Sequence, residues 1–569
     1  MQNKVLLVAI NAKYIHSNLA VYCLKEYSKE YENEIEIAEY TINQYTDFIV
    51  QSIYKKRPKI IAFSCYIWNI SYVNIIIKNL RKILKDVEIW VGGPEVSYRA
   101  RNYLEEFPQV NGVMIGEGEK TFNKLCGYWF KNEYELSDID GIVYRKNDKE
   151  ILLNSKTALM DLSEVPFPYN DIEKFKNKII YYESSRGCPF SCSYCLSSID
   201  KQLRFRDINL VKKELKFFID NKIPQVKFVD RTFNCKKSHA MEIWNFIYEN
   251  DNGITNFHFE ISADLLDDEA IELISRMREG LIQLEIGVQT TNLKTIKEIN
   301  RTTNIDKLRE VVKKINGFKN THQHLDLIAG LPYEDLESFK KSFNDVYEMS
   351  PEQLQLGFLK VLSGALMEKK SKEYEIEICD EPPYEVLSTK WLSYDDILEL
   401  KKIENMVEIY YNSRQFVNTI SYLEKKFKTP YEMYEELGNY YEVHKLDEVK
   451  HSRIKLYENL LEFVNEYFED DEIFSEILKL DIYLRENIKS RPGFAENEYK
   501  EILRPFYRKY KSVYKMVHIE MFRINILKWI KDREIVKDNQ IILFDYNKIS
   551  PINHCCNILE LKEEDISGE

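Results

Sequence analysis

The chain has 569 residues, 44% hydrophobic and 30% charged, the balance of ordinary globular material with apolar content for several cores. Its 80 Lys and Arg against 93 Asp and Glu leave a formal charge of -13, a surface that repels phosphate backbones and disfavours general nucleic-acid binding. No run of 18 apolar residues exists, so no membrane span is expected.

The N-terminal MQNKVLLVAINA reads as a first strand, not a signal peptide, and the expected compartment is the cytoplasm. From residue 1 to about 133, short apolar strands (KVLLVAI, EIEIAEY, KIIAFSCY, VEIWVGG, VNGVMIG) alternate with amphipathic stretches. Five βα units predict a doubly wound, Rossmann-like parallel sheet, which binds ligands in the crevice beyond the carboxyl ends of its strands. Candidate residues there are Ser64, Tyr66 and Trp68 in SCYIWN, Gly92 and Gly93 in GGPE, and Gly116, Glu117 and Gly118 in GEGE. No GxGxxG follows the first strand and no P-loop exists, so dinucleotides and nucleoside triphosphates fit poorly.

Residues 134–175 read as a structured linker with a short strand pair, GIVYR and EILLN, before EVPFPYND. Alternation resumes in 176–384: KIIYYESS, QVKFVD, NFHFEIS, LIQLEIGVQ, HQHLDLIAG and QLQLGFLK predict a partial, six-stranded (β/α)6 barrel. Barrel chemistry sits at the C-terminal strand ends. Asp230, Glu260, Glu285, Gln289 and Asp326 fall near four of them; singly, each acid reads as a cap or an ion pair, but their recurrence around one rim points to a site. Residues 385–569 turn mainly helical, with starts at Ser393 and at Thr429-Pro430 and a terminal strand pair in MVHIEMFRINIL and QIILFDY.

Of ten cysteines, Cys23, Cys65, Cys126 and Cys379 read as inert buried thiols. Cys188, Cys192 and Cys195 in RGCPFSCSYC are different: three thiols crowd one loop as CxxxCxxC after the first barrel strand. Structural zinc and ferredoxin-type clusters take four protein ligands. Three cysteines hold three corners of a cubane and leave one iron open to a small molecule. A zinc site would need Cys235 or His239 as the fourth ligand, and the spacing matches zinc patterns poorly.

On these cysteines, on Tyr194 before the third, and on the six-unit pattern, the chain resembles the radical S-adenosylmethionine superfamily. The resemblance implies a [4Fe–4S] cluster whose open iron chelates S-adenosylmethionine, reductive cleavage to a 5′-deoxyadenosyl radical, and hydrogen abstraction from unactivated carbon. Where relatives carry a Gly-Gly-Glu-like turn after the second strand, this chain reads Phe228 to Asn234, which leaves Asp230 as the candidate for the methionine ammonium. Glu260 and Ser262 are candidates for the ribose or amino-acid moiety. EIGVQT (Glu285, Gln289) and Asn300-Arg301 resemble relatives' motifs, and Arg301 or Arg206 suits the methionine carboxylate.

The domain order and the GGP and GEGE turns resemble the cobalamin-binding subgroup, and the tail resembles a C-terminal domain of unknown function found in one branch of it. DxHxxG is absent, and His16, in YIHSNLA, lies at the wrong spacing for a cobalt ligand. Base-off cobalamin without histidine is expected, over Tyr66 and Trp68. The resemblance implies an anaerobic enzyme fed by reduced ferredoxin or flavodoxin, methylating an unactivated carbon of an unidentified substrate. The alternatives are a radical rearrangement or ring formation without methyl transfer and, outside catalysis, a cobalamin or redox sensor. A methylthiotransferase fits less well, because residues 1–133 lack the three further cysteines of that family.

Overall fold

A computed structural model describes all residues except 1–3, 148, 469–470, 489–490, 496–498, 512, 514, 551–552, 563 and 565–569. In the N-terminal domain, β1 (Val5–Asn11), β2 (Ile35–Thr41), β3 (Ile60–Ser64), β4 (Glu88–Gly92) and β5 (Gly112–Met114) form a parallel sheet in the order β2-β1-β3-β4-β5. All seven residues of β1 are buried, as a strand covered on both faces requires. The order reverses between β1 and β3, which places the ligand crevice beyond those two strand ends.

The strand pair of the expected linker is not a separate unit. β6 (Ile142–Asn147) pairs antiparallel with β5, and β7 (Glu150–Leu153) with β6, so the sheet runs to seven strands. Tyr144 and Val143 join the cores on opposite faces of this sheet, and that burial draws the pair onto its edge.

In the barrel, β8 (Ile180–Tyr182) opens a six-stranded parallel sheet. β9 (Ser185–Arg186) and β10 (Arg204–Phe205) form a separate small ribbon. The sheet continues with β11 (Gln225–Phe228), β12 (Asn256–Ile261), β13 (Ile282–Gln289), β14 (His322–Ala329) and β15 (Gln353–Phe358), paired in sequence order. Burial alternates strictly along β13: Ile282, Leu284, Ile286 and Val288 pack in the core, while Gln283, Glu285, Gly287 and Gln289 face the lumen. Both open edges are met by neighbours. His16 bridges Ile179 beside β8, and Asn412 accepts from Leu354 N and donates to Leu354 O on β15, both at 2.9 Å.

β16 (Glu377–Ile378) and β17 (Val386–Ser388) lead into helices 394–407, 417–423, 430–443, 453–468, 472–485 and 500–510. Ser393 and Asp396 form the expected capping box, and Thr429 caps Glu432 N ahead of Pro430. The terminal strand pair is present as β18 (Val517–Phe522) and β19 (Gln540–Ile549). A third strand, β20 (Cys556–Leu561), joins it, and the predicted continuation of β18 turns instead into helix 526–532.

Candidate active site

The three-cysteine loop hangs from the β9–β10 ribbon, in which Arg186 stands opposite Arg204. Gly187 has a φ of +89°, and a Cβ there would lie 2.4 Å from the Gln202 carbonyl oxygen, so the neck of the loop closes only with glycine. Cys188 and Cys192 are buried and Cys195 is partly exposed. The loop is pinned on two sides: Ser193 N donates to Ile299 O at 2.9 Å, and Met367 N donates to Ser193 O at 2.8 Å. Arg301 Nη1 donates to Tyr194 Oη at 3.1 Å and lies 3.9 Å from Cys192 Sγ. Burial pushes the Cys192 thiol up, and the Arg301 charge opposes it.

Ser193 Oγ, Gln289 Oε1 and Arg301 Nε are buried without a protein partner. An unmade hydrogen bond costs roughly 1–3 kcal/mol each, so orphans grouped beside three thiols suit a polar guest. Among the described residues, no three His, Cys, Asp or Glu side chains are placed to grip a single metal ion. The His239 ring, one of the two candidates for a fourth zinc ligand, is engaged by Ser184 Oγ at 3.0 Å. The donor set suits a cluster, whose ligands spread over its corners, better than one ion.

Below the loop, the lumen is lined by charge. Lys227 Nζ lies 3.1 Å and His258 Nε2 3.0 Å from Glu285 Oε2, and His324 Nε2 lies 3.0 Å from Asp326 Oδ1. Burial raises the Glu285 carboxyl, but His258 and Lys227 outweigh it and hold the group down to about 2. Burial and then Glu285 push Glu260 up to about 7. Gln289 ends β13 at a bulge with a φ of +71°, a conformation that non-glycine residues keep only where surroundings enforce it.

In the N-terminal crevice, the Tyr66 and Trp68 rings stack 4.4 Å apart at 8°, with Trp68 43% exposed. Trp68 Nε1 donates to Ile10 O at 3.2 Å, which ties the stack to the end of β1. Burial pushes the Tyr66 hydroxyl up to about 12. The exposed Arg231, at the end of the barrel strand β11, opposes that shift as it does for Glu260, so the stack and the lumen share one neighbour. His16 Nδ1 is 2.6 Å from Tyr181 Oη, so its ring is spent across the domain boundary.

Several expected roles change. Asp230, expected at the methionine ammonium, is fully buried and accepts from Ser184 N (3.0 Å), Ser184 Oγ (2.8 Å) and Ser185 Oγ; it clamps the ends of β8 and β11. Arg206 is bound to Glu214 and to the Leu162 and Val165 carbonyls, away from the cysteines. Glu117 meets Arg186 and Arg204 rather than the open crevice. Gly93, with a φ of +116°, brings backbone against Cys65, where a Cβ would lie 2.4 Å from the carbonyl oxygen. Gly92 packs on Met114, Gly118 near Leu24, and Gly116 adopts a φ of +75° with open space over it. Ser64 Oγ accepts from Asn18 Nδ2 at 3.0 Å, and Ser262 Oγ donates to Asp264 at 2.6 Å. Sequence reasoning missed Glu334, which is buried and accepts from Thr290 Oγ1 (2.6 Å) and Ser342 Oγ (2.8 Å), fixing the end of β13; its signal was an acid in AGLPYED just past a strand end.

Comparison with known proteins bears on these centres. Residues 5–126 match the B12 binding domain, residues 182–346 match the radical SAM superfamily, and residues 372–544 match DUF4080, a family of unknown function. The chain is a cobalamin-binding radical SAM protein. Its domains bring cobalamin to the first and a [4Fe–4S] cluster with S-adenosylmethionine to the second.

This radical SAM protein is 23% identical to the cobalamin-dependent radical SAM methyltransferase TokK of Streptomyces tokunonensis, over 56% of this chain and 49% of that one. It is 22% identical to 2-(S-pantetheinyl)-carbapenam-3-carboxylate methyltransferase of Streptantibioticus cattleyicolor, over 51% and 45%. It is 26% identical to the anaerobic magnesium-protoporphyrin IX monomethyl ester cyclase of a Synechocystis species, over 41% and 48%. The chain thus spans about half the length of the curated relatives it matches. Among solved structures, the aquacobalamin-bound radical enzyme OxsB shares the fold with a TM-score of 0.59 at 15% identity, over 90% of this chain and 84% of that one. The methyltransferase TsrM of Kitasatospora setae gives 0.55 at 15% identity, over 68% and 79%. No described helix is long and apolar enough to cross a membrane.

Proposed function

We propose that the chain is a cobalamin-dependent radical SAM enzyme that methylates an unactivated carbon. The observation that carries this reading is the contact of the two domains at the cluster loop: Glu117 of the GEGE turn lies 2.5 Å from Arg204 Nη1 and Glu119 lies 2.5 Å from Arg186 Nη2, at the base of the three-cysteine loop. That contact supports a reading in which the two cofactor sites open toward one another, and orienting two reactive centres is what a protein adds to this chemistry.

When bound, the cluster and S-adenosylmethionine supply a 5′-deoxyadenosyl radical, and cobalamin supplies a methyl group. Cys188, Cys192 and Cys195 would hold the cluster, with Arg301 and Tyr194 beside Cys192. Glu260, Glu285, Ser262 and Gln289 would offer acceptors and donors to S-adenosylmethionine from the lumen, Glu285 beside His258 and Ser262 beside Asp264. Tyr66 and Trp68, stacked and partly exposed, would cover one face of the corrin. His16, engaged at Nδ1 by Tyr181 Oη, supports cobalamin held without a histidine on cobalt. The setting is an anaerobic cytoplasm, with a reduced ferredoxin or flavodoxin as donor.

The cyclase among the relatives supports a second reading, radical rearrangement or ring formation without methyl transfer. One experiment separates the two. With methyl-deuterated S-adenosylmethionine, cell extract as substrate source and a strong reductant, methyl transfer yields a labelled product, with 5′-deoxyadenosine and S-adenosylhomocysteine rising together. Formation of 5′-deoxyadenosine with no label in product and no S-adenosylhomocysteine selects the rearrangement.

A further inference from the structure

The ribbon at the base of the three-cysteine loop takes part of its charge pairing from the other domain. Arg186 and Arg204 stand directly opposite each other across its two antiparallel strands, and the stretch between them carries the three thiols. Like charges placed so repel. Glu183 and Asp200 of the barrel each pair one of them, and a carboxylate that reaches both comes from the other domain. Glu117, in the GEGE turn, lies 2.5 Å from Arg204 Nη1 through Oε1 and 3.6 Å from Arg186 Nη1 through Oε2. Glu119, two residues on, lies 2.5 Å from Arg186 Nη2. Glu117 also accepts from Met160 N, in the connector, at 3.3 Å. These side chains are between 6% and 17% exposed, so water screens the pairs only weakly. Glu183 and Asp200 each hold one of the same two guanidiniums, and among the described residues Glu117 is the carboxylate paired with both.

We propose that Glu117 is a positioning residue: the GEGE turn latches the base of the cluster loop, so the three cysteines take up their working arrangement only when the cobalamin-binding domain is docked on the barrel. The latch fixes where the cluster lies relative to cobalamin, and to that extent it rests on the reading that both serve one reaction.

The test uses the full chain and two readouts. In the metal-free protein, amide exchange across residues 184–206 is compared between the parent, Glu117→Gln, and Glu117→Gln with Arg204→Gln. Glu117→Gln should speed exchange about tenfold. The double variant should fall back toward the parent, because the unrelieved repulsion has gone with Arg204. Equal exchange in parent and Glu117→Gln, or a double variant faster than the single, overturns the latch. Should Glu117→Gln fail to fold, Glu119→Gln with Arg186 intact removes the outer half of the same contact and should speed exchange in the same segment; no change there overturns the proposal. In reconstituted protein, pulsed electron paramagnetic resonance reads the distance between cob(II)alamin and the reduced cluster. A distribution that broadens in Glu117→Gln, with iron content unchanged, supports the latch, and an unchanged distribution overturns it. Failure of the parent to bind cobalamin would sink the functional reading instead and leave the exchange experiment to decide the latch.

Discussion

Tyr384 Oη donates to Glu95 Oε1 at 2.6 Å, joining the DUF4080 region to the GGPE turn of the cobalamin-binding domain across 289 residues of sequence. Tyr384 holds a φ of +57° to do so, and Tyr98, three residues past Glu95, packs where Gly364 leaves no room for a Cβ, 2.6 Å from its ring. The domain of unknown function thus reaches the rim of the cofactor crevice. Tyr384→Phe should remove a hydrogen bond to a carboxylate, worth ~1.5–3 kcal/mol. Amide exchange in residues 92–98 should rise by at least about tenfold, with the barrel strands unchanged; no change would show that the contact does not restrain the turn.

Anaerobic reconstitution should load roughly four irons per chain on the three-cysteine loop. Changing Cys188, Cys192 or Cys195 to Ala should bring iron and acid-labile sulfide close to zero, while Cys235→Ala should leave both in place. Stoichiometric zinc without sulfide would refute the assignment.

Bound cob(II)alamin should show no nitrogen hyperfine splitting from an axial base, and His16→Ala should leave that spectrum unchanged, because the ring is engaged by Tyr181. Trp68→Ala should weaken cobalamin binding about tenfold, ~1.4 kcal/mol, through loss of the aromatic face. Trp68→Phe, which keeps the stack but not the bond to Ile10 O, should fall between. Equal affinity in Trp68→Ala would move the corrin elsewhere.

Glu334 carries a signature in pH. Burial raises its carboxyl from the ordinary 4.5 to about 7, and Thr290 and Ser342 only partly offset that. Because the folded state holds this proton more tightly than the unfolded one, the favourable contribution is complete below pH 4.5 and is lost as pH rises through about 7. Glu334→Gln keeps an acceptor for Thr290 and Ser342 without the charge. It should raise thermal stability at pH 8, by on the order of 1–3 kcal/mol, and make little difference at pH 4.5. A variant destabilised equally at both values would assign Glu334 a role that depends on its second oxygen rather than its charge.

The six barrel strands and five of the N-terminal strands were legible because buried parallel strands carry their apolar content in short, bounded runs. β20 was not: in CNILEL the apolar Leu559 is exposed and Glu560 is half-buried, so the strand has no clean alternation and declares itself only beside β19. The cysteine loop was legible because its spacing is local. The protein partners of Asp230, Arg206 and Glu117 were not legible, for the opposite reason. Each is acidic or basic near a strand end, as a cofactor ligand would be, but its partner lies elsewhere: Ser184 for Asp230, Leu162 and Val165 for Arg206, and Arg204 for Glu117. No period or spacing in one chain connects such residues; only the folded topology does. Glu334 was missed because an acid in a loop reads first as a cap, and its burial comes from packing on helix 336–347.

The antiparallel pair that extends the N-terminal sheet sets a rule for anyone who would cut this gene. A fragment ending at residue 133 would strip β6 and β7 away and bare the flank of β5, a three-residue strand whose amides and carbonyls would then seek any passing chain. Such a piece should precipitate or pair with itself. One that runs past Thr157, whose hydroxyl meets Thr121, keeps its last strand, its border and its solubility.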